Sequence, residues 1–319
     1  MKNMRIPIFS AMGVAILGVI FGSFFDYQIS SAIASATSTF GLTVSVIGPT
    51  IGFCGLTFVG GGLAALAMKE KLMWKKCIFF ALAVIAVFVT VYYAGREYFG
   101  INGFDKKAPE VVGMLIAGVC GIAAEVGGYY VFKNCEDKTA WIPFVLVYAV
   151  LLLVLVAAIP ILKDTMHRPR YRTVLDQSIV PFHNWYEKCG DYKYYMVTYN
   201  IGGEEFKSFP SGHTGEAAIL IVIAAFAPLA NEKIKKYQLP LFISACVFVA
   251  FVGLGRITAA AHYLSDVSMG ALLTLIFTCI ANEALIFIYS KIKKPEAMPE
   301  VAQEEQKDEV AEAPIEESK

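Results

Sequence analysis

Apolar residues in this chain run in long blocks with short polar breaks, where a soluble fold would interleave them with polar residues. Eight blocks stand out, at roughly 8–25, 44–68, 76–95, 110–132, 141–162, 214–230, 239–256 and 267–290. A hydrocarbon core about 30 Å thick takes about 20 mostly apolar residues of helix to cross. Unpaired backbone groups cannot face lipid, so the blocks must be helices. The pattern predicts an all-α, polytopic membrane helix bundle of about eight transmembrane helices. Small residues such as Gly60, Gly61, Gly62, Gly113 and Gly121 suit close helix packing. Ala34-Ser35-Ala36 resembles a signal cleavage site, but the first block is long for a signal peptide and ends well before it, so it reads as an anchor.

Composition agrees with the pattern. Hydrophobic residues make up 57% of the 319 positions and charged ones 17%, with a mean hydropathy of +0.58. Soluble domains are about 45–50% apolar and about 25% charged. An ordinary soluble enzyme, a disordered chain and a small disulfide scaffold are all excluded. The seven cysteines include no C-x-x-C pair and mostly sit in apolar runs, as small hydrophobes.

The formal net charge of zero is a sum of two unequal parts. Residues 295–319 carry nine acidic and two basic residues, and the rest of the chain is correspondingly basic. The tail lacks the apolar residues needed to offset ordering entropy and is expected to be disordered. Basic residues recur at every second boundary between blocks: Lys2 and Arg5, then Lys69 to Lys76, Lys133 and Lys138, Lys233 to Lys236, and Lys291 to Lys294. By the positive-inside rule both termini are expected in the cytoplasm, with the 96–109, 163–213 and 257–266 loops outside. The expected organisation is N-terminal transmembrane helices over 1–109, a membrane core with active-site loops over 110–294, and the acidic tail over 295–319.

The four histidines, His167, His183, His213 and His262, all fall on the outer side of that topology. Lys163-Asp164-Thr165-Met166-His167-Arg168-Pro169-Arg170-Tyr171-Arg172 follows the fifth block, Pro210-Ser211-Gly212-His213 opens the sixth, and Arg256, His262 and Asp266 span the turn between the last two. Cations at Lys163, Arg168, Arg170, Arg172 and Arg256 suit a phosphate dianion. Ser211 and Gly212 would offer backbone N–H groups at a helix N-terminus. His262 and Asp266, four apart, share a face if 260–268 is helical; the carboxylate would then fix one ring nitrogen and leave the other to attack. His213 would serve the leaving group as a proton donor. The surplus of cations would repel a metal, and no metal is expected. Snorkelling cations and a capping histidine are the blander readings, and they account poorly for five cations converging with two histidines.

The three groups together resemble the signature blocks of the type 2 phosphatidic acid phosphatase family, in the superfamily shared with vanadium haloperoxidases. That pattern is K-x(6)-R-P, then P-S-G-H, then S-R-x(5)-H-x(3)-D. Here Lys163 and Arg170 have the first spacing, with Tyr171 in place of proline; Pro210 to His213 are complete; and Arg256, His262 and Asp266 have the third spacing, with Gly255 in place of serine. Arg168-Pro169 is a second R-P pair, with Arg168 assigned a supporting role. The resemblance implies His262 as nucleophile forming a phosphohistidine, Asp266 orienting it and His213 protonating the leaving group. It assigns the phosphoryl oxygens to Lys163, Arg170, Ser211, Gly212 and Arg256, and implies no cofactor. It also implies a six-helix core, with two additional N-terminal spans here because the first block follows the fifth span.

The expected activity is a metal-independent lipid phosphate or diphosphate phosphatase at the outer face of a bacterial plasma membrane. Its partners are the bilayer and an isoprenyl or glycerolipid phosphate, and no nucleic acid. Undecaprenyl diphosphate, phosphatidylglycerophosphate, phosphatidate and a lipid A phosphate remain open as substrates. A phosphotransferase using the same phosphoenzyme and a non-catalytic transporter or scaffold are the alternatives. Aromatic residues from Tyr171 to Phe209 read as an interfacial cover over the site. Glu125 and Glu283, inside apolar blocks, read as protonated, hydrogen-bonded packing groups.

Overall fold

The computed structural model describes residues 4–96, 107–133, 135, 157–227 and 232–292, with Pro143, Tyr148, Val150 and Val154. The acidic tail, most of the fifth apolar block and parts of the 96–109 and 133–140 loops lie outside the described residues. Among those described, regular structure is helical, with no strand. The helices are α1 (Arg5–Ile33), α2 (Thr39–Lys69), α3 (Met73–Arg96), α4 (Lys107–Phe132), α5 (157–166), α6 (Tyr192–Thr198), α7 (Gly212–Phe226), α8 (Glu232–Lys235), α9 (Gln238–Thr258) and α10 (Leu264–Ile292).

Six of them, α1 to α4, α9 and α10, are long and apolar enough to cross a membrane. α7, expected to span, is a 15-residue apolar helix. Most helices run past the ends of their apolar blocks; in α1, polar residues such as Asp26 and Ser30 continue the helix inside the bundle. Exposed Ile, Leu, Val and Phe side chains cover α1, α3 and α4, including Phe24, Phe88 and Val119. A face of that kind is at home in lipid, where apolar side chains need no burial against protein.

α1 lies along α10, and α2 packs on α7 and α9, while α3 and α4 pack chiefly on α2 and on each other. Among the described residues α2 is therefore the central helix, with α1 seated on α10 and the α3–α4 hairpin seated on α2. Glycine makes the seams possible. A Cβ at Gly52 would come 2.6 Å from the Glu216 carbonyl of α7, and one at Gly61 would overlap the Glu125 carbonyl of α4. At such crossings only a residue without a side chain lets two backbones meet.

At one end the α1–α10 seam is closed by Arg5, which forms a bidentate ion pair with Glu283. This corrects the expectation for Glu283: its carboxylate is part-exposed and charge-paired, because α1 begins beside it. The other end carries the loop from 167 to 211. There Tyr171, Val174, Val180, Cys189, Phe206, Ala260 and Tyr263 form a second small core. The loop's aromatics thus divide. Tyr171 and Phe206 are core, whereas Tyr186, Tyr194 and Tyr199 are exposed. Trp185 stacks on Phe209 and donates to Ser23 Oγ of α1 at 2.8 Å.

Candidate active site

The loop core holds three chain segments against one another. The amide of Arg170 donates to the Glu205 carbonyl, that of Arg172 to Ala260, and that of Ser208 to Arg168. The first and third signature groups are thereby fixed to the segment that leads into the second. Ser211 caps α7, its hydroxyl accepting from Thr214 N–H and Thr214 Oγ1, as an N-cap serine should.

A cavity of about 650 Å³ opens where these segments meet α2 and α3. Lys163, Arg170, Gly212, His213, Arg256 and His262 line its polar end. Lys163 Nζ lies against the first turn of α7, 3.5 Å from where a Gly212 Cβ would stand. Gly212 is the first residue of that helix, where a backbone N–H has no carbonyl one turn below and the helix dipole is positive. Arg256 is buried, and its Nη1 donates to Ser45 Oγ of α2. Arg170 is held by its Nε, which donates to the Glu204 carbonyl at 2.9 Å. Arg172 and Lys207 also border the cavity, each paired with a carboxylate: Arg172 with Glu205 and Lys207 with Glu204.

His262 is buried, in the turn before α10. Its Nδ1 lies 2.7 Å from the Ser208 carbonyl and 3.6 Å from Asp266 Oδ2. A carbonyl only accepts, so this contact assigns the proton to Nδ1 and leaves Nε2 with its lone pair. Burial holds the imidazole well below its usual pKa, against the opposing effect of Asp266. The ring is therefore neutral. Lys163, one residue past the apolar stretch of the fifth block, is pushed down to about 8 by burial first and then by Arg170 and Arg256, with Glu216 opposing.

Three expectations need correction. Arg168 lies away from the cavity: its guanidinium is completely buried and bonded to Asp26 and Asp266, outside the cavity lining. Arg170 is the arginine that reaches the cavity. Alternate residues of an extended segment point opposite ways, which separates the two. Ser211 is buried and its amide donates to the Asp266 carbonyl at 3.0 Å, so it caps α7 and ties it to α10 instead of facing an anion. Residues 260–268 are not one helix. α10 starts at Leu264, and Asp266 reaches back to the Tyr263 amide at 2.9 Å, a capping-box contact. His262 and Asp266 meet across that cap.

His167 stacks on Tyr192, and the His183 carbonyl accepts from Arg168 Nε, so neither ring joins the cavity. Asp26, Ser45 and Ser208 were assigned no role from the sequence. Asp26 was legible as an acid in an apolar run, had the first block not been ended at residue 25. Ser45 and Ser208 carried no signal, since each acts through contacts 211 and 54 residues away.

Residues 143–287 match the family model described as the PAP2 superfamily. No match was found among curated proteins or solved structures.

Proposed function

We propose, from the match of residues 143–287 to the PAP2 superfamily and from the geometry of the site, a metal-independent lipid phosphate phosphatase working through phosphohistidine. One observation carries the reading. A neutral histidine, fixed through Nδ1, shares one cavity with Lys163, Arg170, Arg256 and His213.

In the first step Nε2 of His262 attacks phosphorus, the N–P bond forms and the bond to the leaving oxygen breaks. Lys163, Arg170, Arg256 and the Gly212 amide offset charge on the phosphoryl oxygens. Protonated His213 gives its proton to the leaving oxygen. In the second step His213 takes a proton from water, the hydroxide attacks phosphorus, and the N–P bond breaks to release phosphate and restore His262. Asp266 and the Ser208 carbonyl hold the Nδ1 proton throughout and stabilise the positive ring of the intermediate. The established division of roles in a serine hydrolase triad has the same electrostatic logic.

The cavity's other wall favours a lipid. Leu42, Val46, Phe53 and Leu56 of α2 and Val89 and Tyr93 of α3 line it beside the cations. A phosphate headgroup at the polar end leaves its apolar tail against that wall. Charge supports the outer face: the α2–α3 connection, containing Lys71 and flanked by Lys69 and Lys75, lies at the end of α2 and α3 away from the cavity-lining residues.

The test is phosphate release by purified protein from a panel of lipid phosphates, in excess EDTA, with and without vanadate. EDTA resistance, vanadate inhibition and loss of activity in His262→Ala are expected. Abolition by EDTA with recovery on adding magnesium would overturn the mechanism.

A further inference from the structure

Asp26 has no task in the reaction as written, yet it is buried at the heart of the site's support. Its Oδ1 accepts from the Ser265 amide at 2.9 Å, and its Oδ2 accepts from Arg168 Nη2 at 2.9 Å and from Ser265 Oγ. Arg168 extends the connection. Nη1 donates to Asp266 Oδ1 at 2.5 Å and to Ser265 Oγ at 2.8 Å, Nε donates to the His183 carbonyl, and the guanidinium lies 4.2 Å from the Tyr263 ring centroid. Asp266 then uses its other oxygen for Ser208 Oγ and the Tyr263 amide, on the side of His262. Asp26, Arg168, Ser208, Ser265, Asp266 and His262 are all buried.

We propose that Asp26 is a positioning residue for the nucleophile, acting from α1 through Arg168 to hold the Asp266 carboxylate beneath His262. The inference rests on the phosphohistidine reading above. Two features of the geometry support it. Arg168 is a rigid fork whose nitrogens are all occupied, and Asp26 is the group that holds its Nη2. The charges also matter. Two carboxylates around one guanidinium leave a net charge of about −1 next to the ring, and an asparagine at 26 would leave about zero. Nδ1–H bears part of a positive charge only once Nε2 holds the phosphoryl group. The extra negative charge therefore acts on the transition state and intermediate and hardly on substrate binding. Asp26 also satisfies the Ser265 amide, one of the first-turn donors of α10 that no helix carbonyl reaches.

The experiment compares the wild-type chain with Asp26→Asn, Arg5→Gln and His262→Ala in detergent micelles. The substrate is a short-chain phosphatidate, and inorganic phosphate is the inhibitor. Asp26→Asn is expected to lower kcat by about 10- to 100-fold, the range for outer partners of a functional histidine. KM and the phosphate inhibition constant should stay within about twofold, since the cation clamp is untouched. Arg5→Gln, at the far end of the same α1–α10 seam, should retain wild-type kcat.

Wild-type kcat in Asp26→Asn, with His262→Ala inactive, would overturn the inference and leave the phosphatase reading intact. An equal fall in Arg5→Gln, or a fall in Asp26→Asn that merely follows loss of folded protein on size exclusion, would overturn it too. Either would make α1 a structural brace. Activity undiminished in His262→Ala would instead remove the phosphohistidine reading, and this inference with it.

Discussion

Lys163 offers a perturbation whose sign and size follow from its surroundings. Its ammonium is held at about 8, below the usual 10.5, by burial and by two neighbouring arginines. That displacement corresponds to roughly 3 kcal/mol of lost preference for the charged form. A phosphate dianion restores that preference when it binds, so the free site is a poorly solvated cation waiting for an anion. The protonated amine is the working form. It is present below about pH 8 and lost above it. His262 is already neutral because its pKa is depressed, so raising the pH does not recruit more nucleophile. On the proposed mechanism Lys163 therefore contributes a fall in kcat/KM of about tenfold per pH unit above that point, in addition to the loss from deprotonating His213, the proton donor. The fall in kcat, which reports the complex, should lie at higher pH. Initial rates on a soluble short-chain phosphate, from about pH 6 to about pH 10 in mixed buffers, measure both limbs. Lys163→Arg should make the alkaline fall shallower, because a guanidinium keeps its proton and only the His213 contribution remains. The same limb in Lys163→Arg as in the wild type would refute the reasoning and assign the titration elsewhere.

Two further outcomes follow from the packing. Gly255→Ser restores the family's serine, but a Cβ there overlaps the Val44 side chain of α2, so the variant should lose about 1–3 kcal/mol of stability and melt earlier in detergent. A variant as stable as the wild type would show that the α2–α9 seam can yield. Val89→Trp, which fills the apolar wall on α3, should raise KM for a long-tailed phosphate by about tenfold while sparing a short-chain ester. Equal effects on both substrates would mean that the tail does not lie there.

The signature groups were readable because their chemistry depends on residue type and local spacing. Pro210 to His213 lead directly into a helix, and Arg256, His262 and Asp266 sit on either side of one tight turn, so a short stretch of sequence brings each set close to its working arrangement. The division between Arg168 and Arg170 was not readable. The two are two residues apart with the same side chain, and only the loop's pairing with 205–208 sends one into the cavity and the other into a carboxylate pair. Gly255 shows the same limit. In sequence it is a missing hydroxyl; in the fold it is the point where α9 meets α2, and Ser45 of α2 brings a hydroxyl to Arg256 from across that seam.

Hydrophobic blocks by themselves determined that this chain is a helical membrane protein, since only helices satisfy the backbone in lipid over such lengths. Residue types and spacing also named His213, His262, Asp266, Lys163, Arg170 and Arg256 as one chemical group. Which helices form the bundle's centre was decided by the tertiary structure alone. Apolar blocks look alike whether they face lipid or protein, and the difference lies in where glycines let backbones meet. Among the described residues α2 proved central, packing on α3, α4, α7 and α9, while α1, α3 and α4 keep exposed apolar faces. The role of Asp26 is equally a product of the fold. Its partners lie 142 and 239 residues further along the chain, and no local pattern records a contact made at that separation.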